Sequence, residues 1–128
     1  MKVFVTDDFD AFMMRTNLND PSIIKVAKEV DAGLHDGNLD MGKLFKKRIA
    51  SPKQSKADSN RSVVVVQKGE RLFFLAGWRK VDVPKKGKEI PDKLLETYKL
   101  IGESFRNFTD EQIERNINDG YLREIDND

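Results

Sequence analysis

The sequence contains no cysteine and a single histidine among its 128 residues. Without cysteine the chain can form no disulfide framework, no thiolate zinc site and no thiol nucleophile. Long apolar runs are also missing. The longest, Val63–Val66 and Leu72–Ala76, fall far below the ~20 residues that a membrane-spanning helix needs. The apolar run at the N-terminus meets Asp7 and Asp8 too early to form a signal-peptide core. We therefore expect a soluble protein located in the cytoplasm.

Metal and cofactor signals are equally scarce. His35 stands at the predicted end of a helix, where it complements the helix dipole, so we assign it a structural or surface role. Asp36–Asp40 has the acid and amide spacing of a calcium loop, but Met41 stands where glycine is needed and Lys47 where glutamate is needed. No glycine-rich phosphate loop is present. The sequence predicts no metal site and no cofactor.

The net charge is small, but it is unevenly distributed. The chain has 23 basic and 22 acidic residues, a net charge of +1, which by itself argues against a polyanionic partner. Residues 43–88, however, carry 14 basic and 3 acidic side chains, a net charge of +11, whereas residues 1–42 and 89–128 carry −4 and −6. A basic block of this size is typical of a surface that binds nucleic acid.

Length and composition predict one domain spanning residues 1–128, with a short acidic C-terminal helix and tail over residues 109–128. Periodicity predicts a strand over 2–6, a first helix after it that contains Phe9, Phe12 and Met13, and strands over 44–50, 61–67 and 71–78. End signals predict a second helix with Asp20 as its N-cap that ends near Gly33, a helix over 91–105, and a last helix that begins with a capping box at Thr109–Gln112 and ends at about Asn118. The Val63–Val66 run lacks alternation, which indicates a central strand covered on both faces. The order β-α-α-β-β-β-α-α predicts an α+β fold, with N-terminal and C-terminal helices packed on a small, mainly antiparallel sheet.

The first strand of the basic block concentrates cations. Strand alternation places Lys46 and Arg48 on one face, and Phe45 and Lys47 on the other. The alternative is a solvated strand edge, where lysine commonly prevents aggregation. The size of the basic block favours contact with a polyanion.

Further cations stand at the ends of the neighbouring strands. Arg61 opens the next strand, and Arg79 and Lys80 end the one after it, so a twisted sheet can bring them together. Trp78 is expected in the core, with stacking on a base as the alternative.

Several segments within residues 33–125 also follow one another in a distinctive order. They are GKLFKKRIASP at 42–52, Lys56, NRSVVV at 60–65, KGERLFFLAGWRK at 68–80, TDEQI at 109–113 and GYLREI at 120–125. In this order they resemble the RelE-like toxins of the RelE/ParE superfamily. The resemblance implies a small α+β toxin with a curved antiparallel sheet and a cognate antitoxin, which we expect to be of the helix-turn-helix type.

Typical members of that family cleave mRNA on the ribosome without a metal: the ribose 2′-hydroxyl attacks the adjacent phosphate, and basic side chains support the reaction. The resemblance implies catalytic roles for Lys46, Arg48, Arg61 and Lys80, with Lys47 as the alternative if the strand register shifts by one and Arg79 as the alternative to Lys80. We expect the wider RNA-binding surface to include Lys43, Lys47, Lys53, Lys56, Arg79, Lys85 and Lys86.

The chain departs from the family pattern at one point. Many RelE toxins carry a tyrosine near the C-terminus that stacks on or activates the nucleotide, but Val83–Lys88 contains none. The general base is therefore open, and a lysine could act as one if neighbouring cations lowered its pKa. Two other functions stay open: a ParE-like poison of DNA gyrase, against which the basic block and Arg61 argue, and a plain nucleic-acid-binding regulatory module.

Overall fold

The computed structural model describes residues 1–50, 60–67 and 71–126. The strands are β1 (Lys2–Thr6), β2 (Gly37–Asn38), β3 (Leu44–Ile49), β4 (Asn60–Gln67), β5 (Arg71–Arg79) and β6 (Leu122–Ile125). The helices are α1 (Asp7–Thr16), α2 (Asp20–Asp31), α3 (Asp92–Arg106) and α4 (Asp110–Asn118), with a 3₁₀ helix at Lys80–Asp82. Within these described ranges, no helix has the length and apolar character needed to cross a membrane.

Side-chain caps fix where the helices begin. The capping box predicted at the start of α4 is confirmed: the Thr109 hydroxyl accepts from the Gln112 backbone N–H, and the Gln112 side chain accepts from the Thr109 N–H. The cap predicted for α2 was wrong by one residue. Asn19 accepts from the Ser22 N–H, and Asp20 is the first helical residue, where its charge favours the positive end of the helix dipole.

All six strands form one sheet in the order β2-β3-β4-β5-β1-β6. β1 runs parallel to β5, and the other pairs are antiparallel. The predicted α+β class and mainly antiparallel sheet are therefore confirmed. The prediction missed β2 and β6, because β2 has only two residues and the four residues of β6 place two charged side chains between two apolar ones.

Each face of the sheet carries its own apolar cluster. On the face that α1 and α2 cover, hereafter the α1/α2 face, Val64 packs with residues of both helices. On the opposite face, hereafter the α3/α4 face, Val63 and Val65 pack with residues of α3 and α4. All three valines are fully buried, which confirms that β4 is a central strand covered on both sides.

Close packing also fixes the position of α3 over β3 and β4. A Cβ added at Gly102 of α3 would stand 3.1 Å from Cγ2 of Val65 and 3.3 Å from Cδ1 of Leu44, so the helix backbone lies close to both strands. At the end of α3, the Gln67 side chain of β4 donates hydrogen bonds to the carbonyl oxygens of Phe105, at 3.1 Å, and of Phe108, at 3.0 Å. These bonds tie the last turn of α3 and the residue that precedes the cap of α4 to the sheet.

Candidate functional site

Three of the predicted cations lie on the α3/α4 face at one end of β3 and β4. In the antiparallel register, Lys46 is opposite Val63, and Arg48 is opposite Arg61. Directly opposed residues project to the same face, and Val63 belongs to the α3/α4 cluster. The alternation predicted for β3 is confirmed, and Lys46, Arg48 and Arg61 form what we call the β3–β4 cation cluster.

The members of this cluster differ sharply in exposure. The side chain of Arg61 is 2% exposed, that of Lys46 26% and that of Arg48 45%. Arg48 is the outermost, and its Nε lies 3.9 Å from a carboxylate oxygen of Asp36. The cluster therefore runs from a buried guanidinium to a solvent-exposed one.

Glu89, which the sequence did not single out, joins two of these cations. Its Oε1 lies 3.5 Å from the Lys46 Nζ and 3.9 Å from the Arg61 Nε. That oxygen is covered from solvent and accepts no hydrogen bond from the described residues. Glu89 stands in the irregular segment before α3, where neither periodicity nor a motif reveals a contact with β3 and β4. Lys46 and Arg61 can thus reach one and the same anionic group.

Lys47 has a different environment from its neighbour Lys46. It projects to the α1/α2 face, and its Nζ donates a 2.6 Å hydrogen bond to the carbonyl oxygen of Leu34 and lies 3.6 Å from Oε1 of Glu29. Its side chain is only 5% exposed. A buried ammonium needs such partners, so Lys47 fastens β3 to α2 and to the residues that follow it.

Arg79, the last residue of β5, projects away from the cluster. In the register of β4 and β5, Arg79 is opposite Asn60, and Trp78 is opposite Arg61. Because successive residues of a strand project to opposite faces, Arg79 projects to the α1/α2 face while Arg61 projects to the α3/α4 face. The Arg79 guanidinium donates to both carboxylate oxygens of Asp82, at 3.1 and 3.3 Å, and this hydrogen bonding holds the pKa of Asp82 below its usual value. Lys80 begins the 3₁₀ helix and is exposed.

Arg79 also lines a groove on that side. The groove has a volume of about 430 Å³ and is formed by residues of α1 and of the β5 end: Phe12, Arg15, Thr16, Gly77, Trp78, Arg79 and Asp82. Gly77 is required there, because a Cβ would stand 2.5 Å from Cδ2 of Phe12.

The remaining predicted RNA-binding lysines fall into two groups. Lys43, Lys85 and Lys86 are exposed, Lys43 next to β3 and the other two in the segment before α3. Lys53 and Lys56 lie outside the described residues.

His35 and Trp78 take largely structural positions. The imidazole of His35 packs on the ring of Phe45, with centroids 4.4 Å apart, as expected for a structural role. Trp78 is partly buried against the α3/α4 cluster, and its Nε1 is buried with no hydrogen-bond partner in the described part of the chain. Across residues 1–50, 60–67 and 71–126, no three histidine or carboxylate side chains are grouped to hold a metal ion.

Comparison with known proteins gives one finding that covers almost the whole chain. A family model described as "RelE toxin of RelE / RelB toxin-antitoxin system" matches residues 1–125. None of the curated proteins compared with the chain matches it.

Proposed function

Because the chain belongs to the RelE toxin family, we propose that it is an mRNA endoribonuclease that inhibits translation, with the β3–β4 cation cluster as its phosphate-binding centre. As a toxin of a toxin–antitoxin system, it has an antitoxin as its partner. We further propose that this antitoxin is of the helix-turn-helix type, that cleavage takes place on the ribosome and that the protein acts in the cytoplasm.

The observation that supports this proposal most directly is the meeting of Lys46 and Arg61 at one carboxylate. The Lys46 ammonium and the Arg61 guanidinium come from adjacent strands, whose register sets their positions. They lie 3.5 and 3.9 Å from the same oxygen of Glu89. A backbone phosphate oxygen is likewise a small anionic acceptor, and guanidinium groups suit phosphate particularly well.

The proposed reaction needs such a centre. The 2′-hydroxyl of the ribose loses its proton and attacks the neighbouring phosphorus, so that the O2′–P bond forms and the P–O5′ bond breaks. The products are a 2′,3′-cyclic phosphate and a 5′-hydroxyl, whose oxygen takes up a proton. Negative charge develops on the five-coordinate phosphorus, and preorganised cations stabilise it.

Within this proposal, Arg61 holds the scissile phosphate, and Lys46 and Arg48 flank it. Lys80, exposed at the start of the 3₁₀ helix, is the fourth proposed catalytic cation. A lysine remains our hypothesis for the general base.

The wider RNA-binding surface is proposed to comprise Lys43, Lys53, Lys56, Arg79, Lys85 and Lys86. We leave out Lys47, because it is buried on the opposite face with Leu34 and Glu29 as its partners. A lysine held in this way is not available to an RNA strand.

The test compares induced growth arrest and RNA cleavage by the wild type and by Arg61→Ala. Loss of one transition-state donor typically lowers a rate by about 10²–10³-fold, so the variant should neither arrest growth nor produce codon-positioned cuts. Arg115→Ala, an exposed arginine of α4, is the matched control. Because Arg61 is buried, Arg48→Ala and the thermal unfolding of each variant separate loss of chemistry from loss of fold.

Three results would contradict the proposal. Equal arrest by the wild type and Arg61→Ala would remove Arg61 from the site. DNA damage without RNA cuts would identify a gyrase poison. RNA binding without any cleavage, with or without ribosomes, would indicate a plain binding module.

A further inference from the structure

Glu89 occupies the position that the proposed function assigns to the RNA phosphate. Its carboxylate is the group that Lys46 and Arg61 both contact, and its Oε1 is shielded from solvent. A site that binds a phosphate with these two cations must first release this carboxylate, because both anions need the same positive charges.

The burial of Arg61 leads to the same requirement. With 2% of its side chain exposed, the guanidinium cannot meet an RNA strand unless a covering group moves. Within the part of the chain that the structure describes, Glu89 contacts both Arg61 and Lys46, and its side chain is about a quarter exposed. Movement of this side chain would remove the carboxylate that lies 3.9 Å from the Arg61 Nε.

The contacts of Glu89 suit a group that can be displaced. Both exceed the 2.7–3.2 Å of ordinary N–H···O hydrogen bonds, and its Oε1 accepts none from the described residues. The carboxylate is thus held by charge, without directional bonds to this oxygen. A phosphate, with more acceptor oxygens, can form the bidentate pair with arginine that Glu89 does not form.

The surrounding chain also permits this movement. Glu89 lies between the 3₁₀ helix and α3, in a segment outside the helices and strands. Lys85–Lys88 before it are exposed, and Ile90 after it packs against the α3/α4 cluster. The apolar contact of Ile90 anchors the segment after Glu89, and before it the exposed Lys88 forms an ion pair with Asp92 at 2.7 Å.

We propose that Glu89 closes the phosphate site of the free protein and that an RNA phosphate must displace it. This autoinhibitory contact rests on the proposed function. It lowers the apparent RNA affinity by the fraction of molecules in which the carboxylate has left the cations. The exposed Lys43, Lys85 and Lys86 can attract RNA without this displacement, so the contact controls the engagement of Arg61 rather than the first encounter.

The test measures binding of a short single-stranded RNA whose ribose 2′-positions are all O-methylated, so that it cannot be cleaved. Glu89→Gln should bind it at least about tenfold more tightly than the wild type. It should also steepen the salt dependence of binding by about 0.7 in the log–log slope for each additional phosphate contact on a single strand. Glu96→Gln, an exposed glutamate of α3, makes the same charge change and should alter affinity little at physiological ionic strength, where the screening length is about 8 Å.

A double-mutant cycle attributes the gain to the cations. In a Lys46→Gln background, Glu89→Gln should gain much less affinity, because one of the two released charges is gone. Glu89→Asp keeps the charge but shortens the side chain, so it should bind with intermediate affinity. If thermal unfolding shows that Glu89→Gln does not fold, the affinity of Glu89→Asp tests whether the Glu89 carboxylate competes with the RNA phosphate.

The outcomes separate this inference from the proposed function. If Glu89→Gln binds no more tightly than Glu96→Gln, while Arg61→Ala binds more weakly than the wild type, the gate is refuted and the phosphate site stands. If Glu89→Gln binds equally well but cleaves far more slowly, Glu89 is a catalytic group, which also refutes the gate. If Arg61→Ala binds as the wild type does and neither protein cleaves RNA, the proposed function fails and the gate fails with it.

Discussion

Lys46 and Lys47 are neighbours in β3, yet the fold gives them opposite environments. Lys46 lies on the α3/α4 face, a quarter exposed, beside the buried Arg61 and the carboxylate of Glu89. Lys47 is almost fully buried on the α1/α2 face, where the Leu34 carbonyl and Glu29 are its partners. The pleat of one strand thus separates a cation available to a ligand from one that stabilises the protein. A local excess of lysine therefore does not by itself define a binding surface.

The largest expected effect is the loss of RNA cleavage when Lys46 is replaced. Replacing Lys46 with alanine should lower RNA cleavage by about 10²-fold or more, because one donor to the developing phosphate charge is lost. The free energy of unfolding should change little, since this ion pair is partly exposed. Cleavage rates and urea denaturation on the same preparation measure the two effects.

Lys25→Ala, which removes an exposed lysine of α2, is the control. Equal cleavage by Lys46→Ala and Lys25→Ala would show that Lys46 has no specific role in catalysis.

Lys47 should show the reverse pattern. Lys47→Met keeps most of the buried methylene chain but removes the ammonium that bonds to Leu34 and pairs with Glu29. We expect a loss of about 1–3 kcal/mol in the free energy of unfolding, because a partly buried hydrogen bond to a charged donor is lost and Glu29 loses its ammonium partner. The folded variant should cleave RNA at the wild-type rate. A variant that is fully stable but inactive would reverse the roles of the two lysines.

The sequence predicted the parts of this comparison that depend on local pattern. Alternation in β3 was sufficient to separate Lys46 and Arg48 from Lys47, and the unbroken valine run predicted that β4 is covered on both faces. Each of these predictions needs only the geometry of one strand.

The remaining features depend on contacts between distant segments. Lys47 is buried because α2 and the residues after it bring Glu29 and Leu34 to β3, and the pattern of β3 contains no sign of this. Glu89 reaches the cations from an irregular segment. β6 was missed because Arg123 and Glu124 interrupt its apolar residues.

The smallest expected effect on stability is at Arg123. This residue is a third kind of cation, paired with carboxylates and partly exposed. It donates to carboxylate oxygens of Asp10, at 2.8 Å, and of Asp20, at 2.8 Å, so it joins β6 to α1 and α2. The side chains of Arg123 and Asp20 are both 40% exposed. Arg123→Ala should therefore lower the free energy of unfolding by only about 0.2–1 kcal/mol for each ion pair, far less than a comparably paired buried cation would.

The pH dependence identifies the source of this stability. Hydrogen bonding to Arg123 holds the pKa of Asp20 below its ordinary value, so the native state favours the ionised carboxylate. The stabilisation is fully present above the unfolded-state pKa of about 3.9 and is lost as the pH falls through the lower pKa of the folded state. The stability difference between the wild type and Arg123→Ala should accordingly be constant near neutral pH and shrink below about pH 4. A difference that persists at lower pH would mean that Arg123 stabilises the protein through packing of its aliphatic stem, and Arg115→Ala gives the baseline for an exposed arginine of α4.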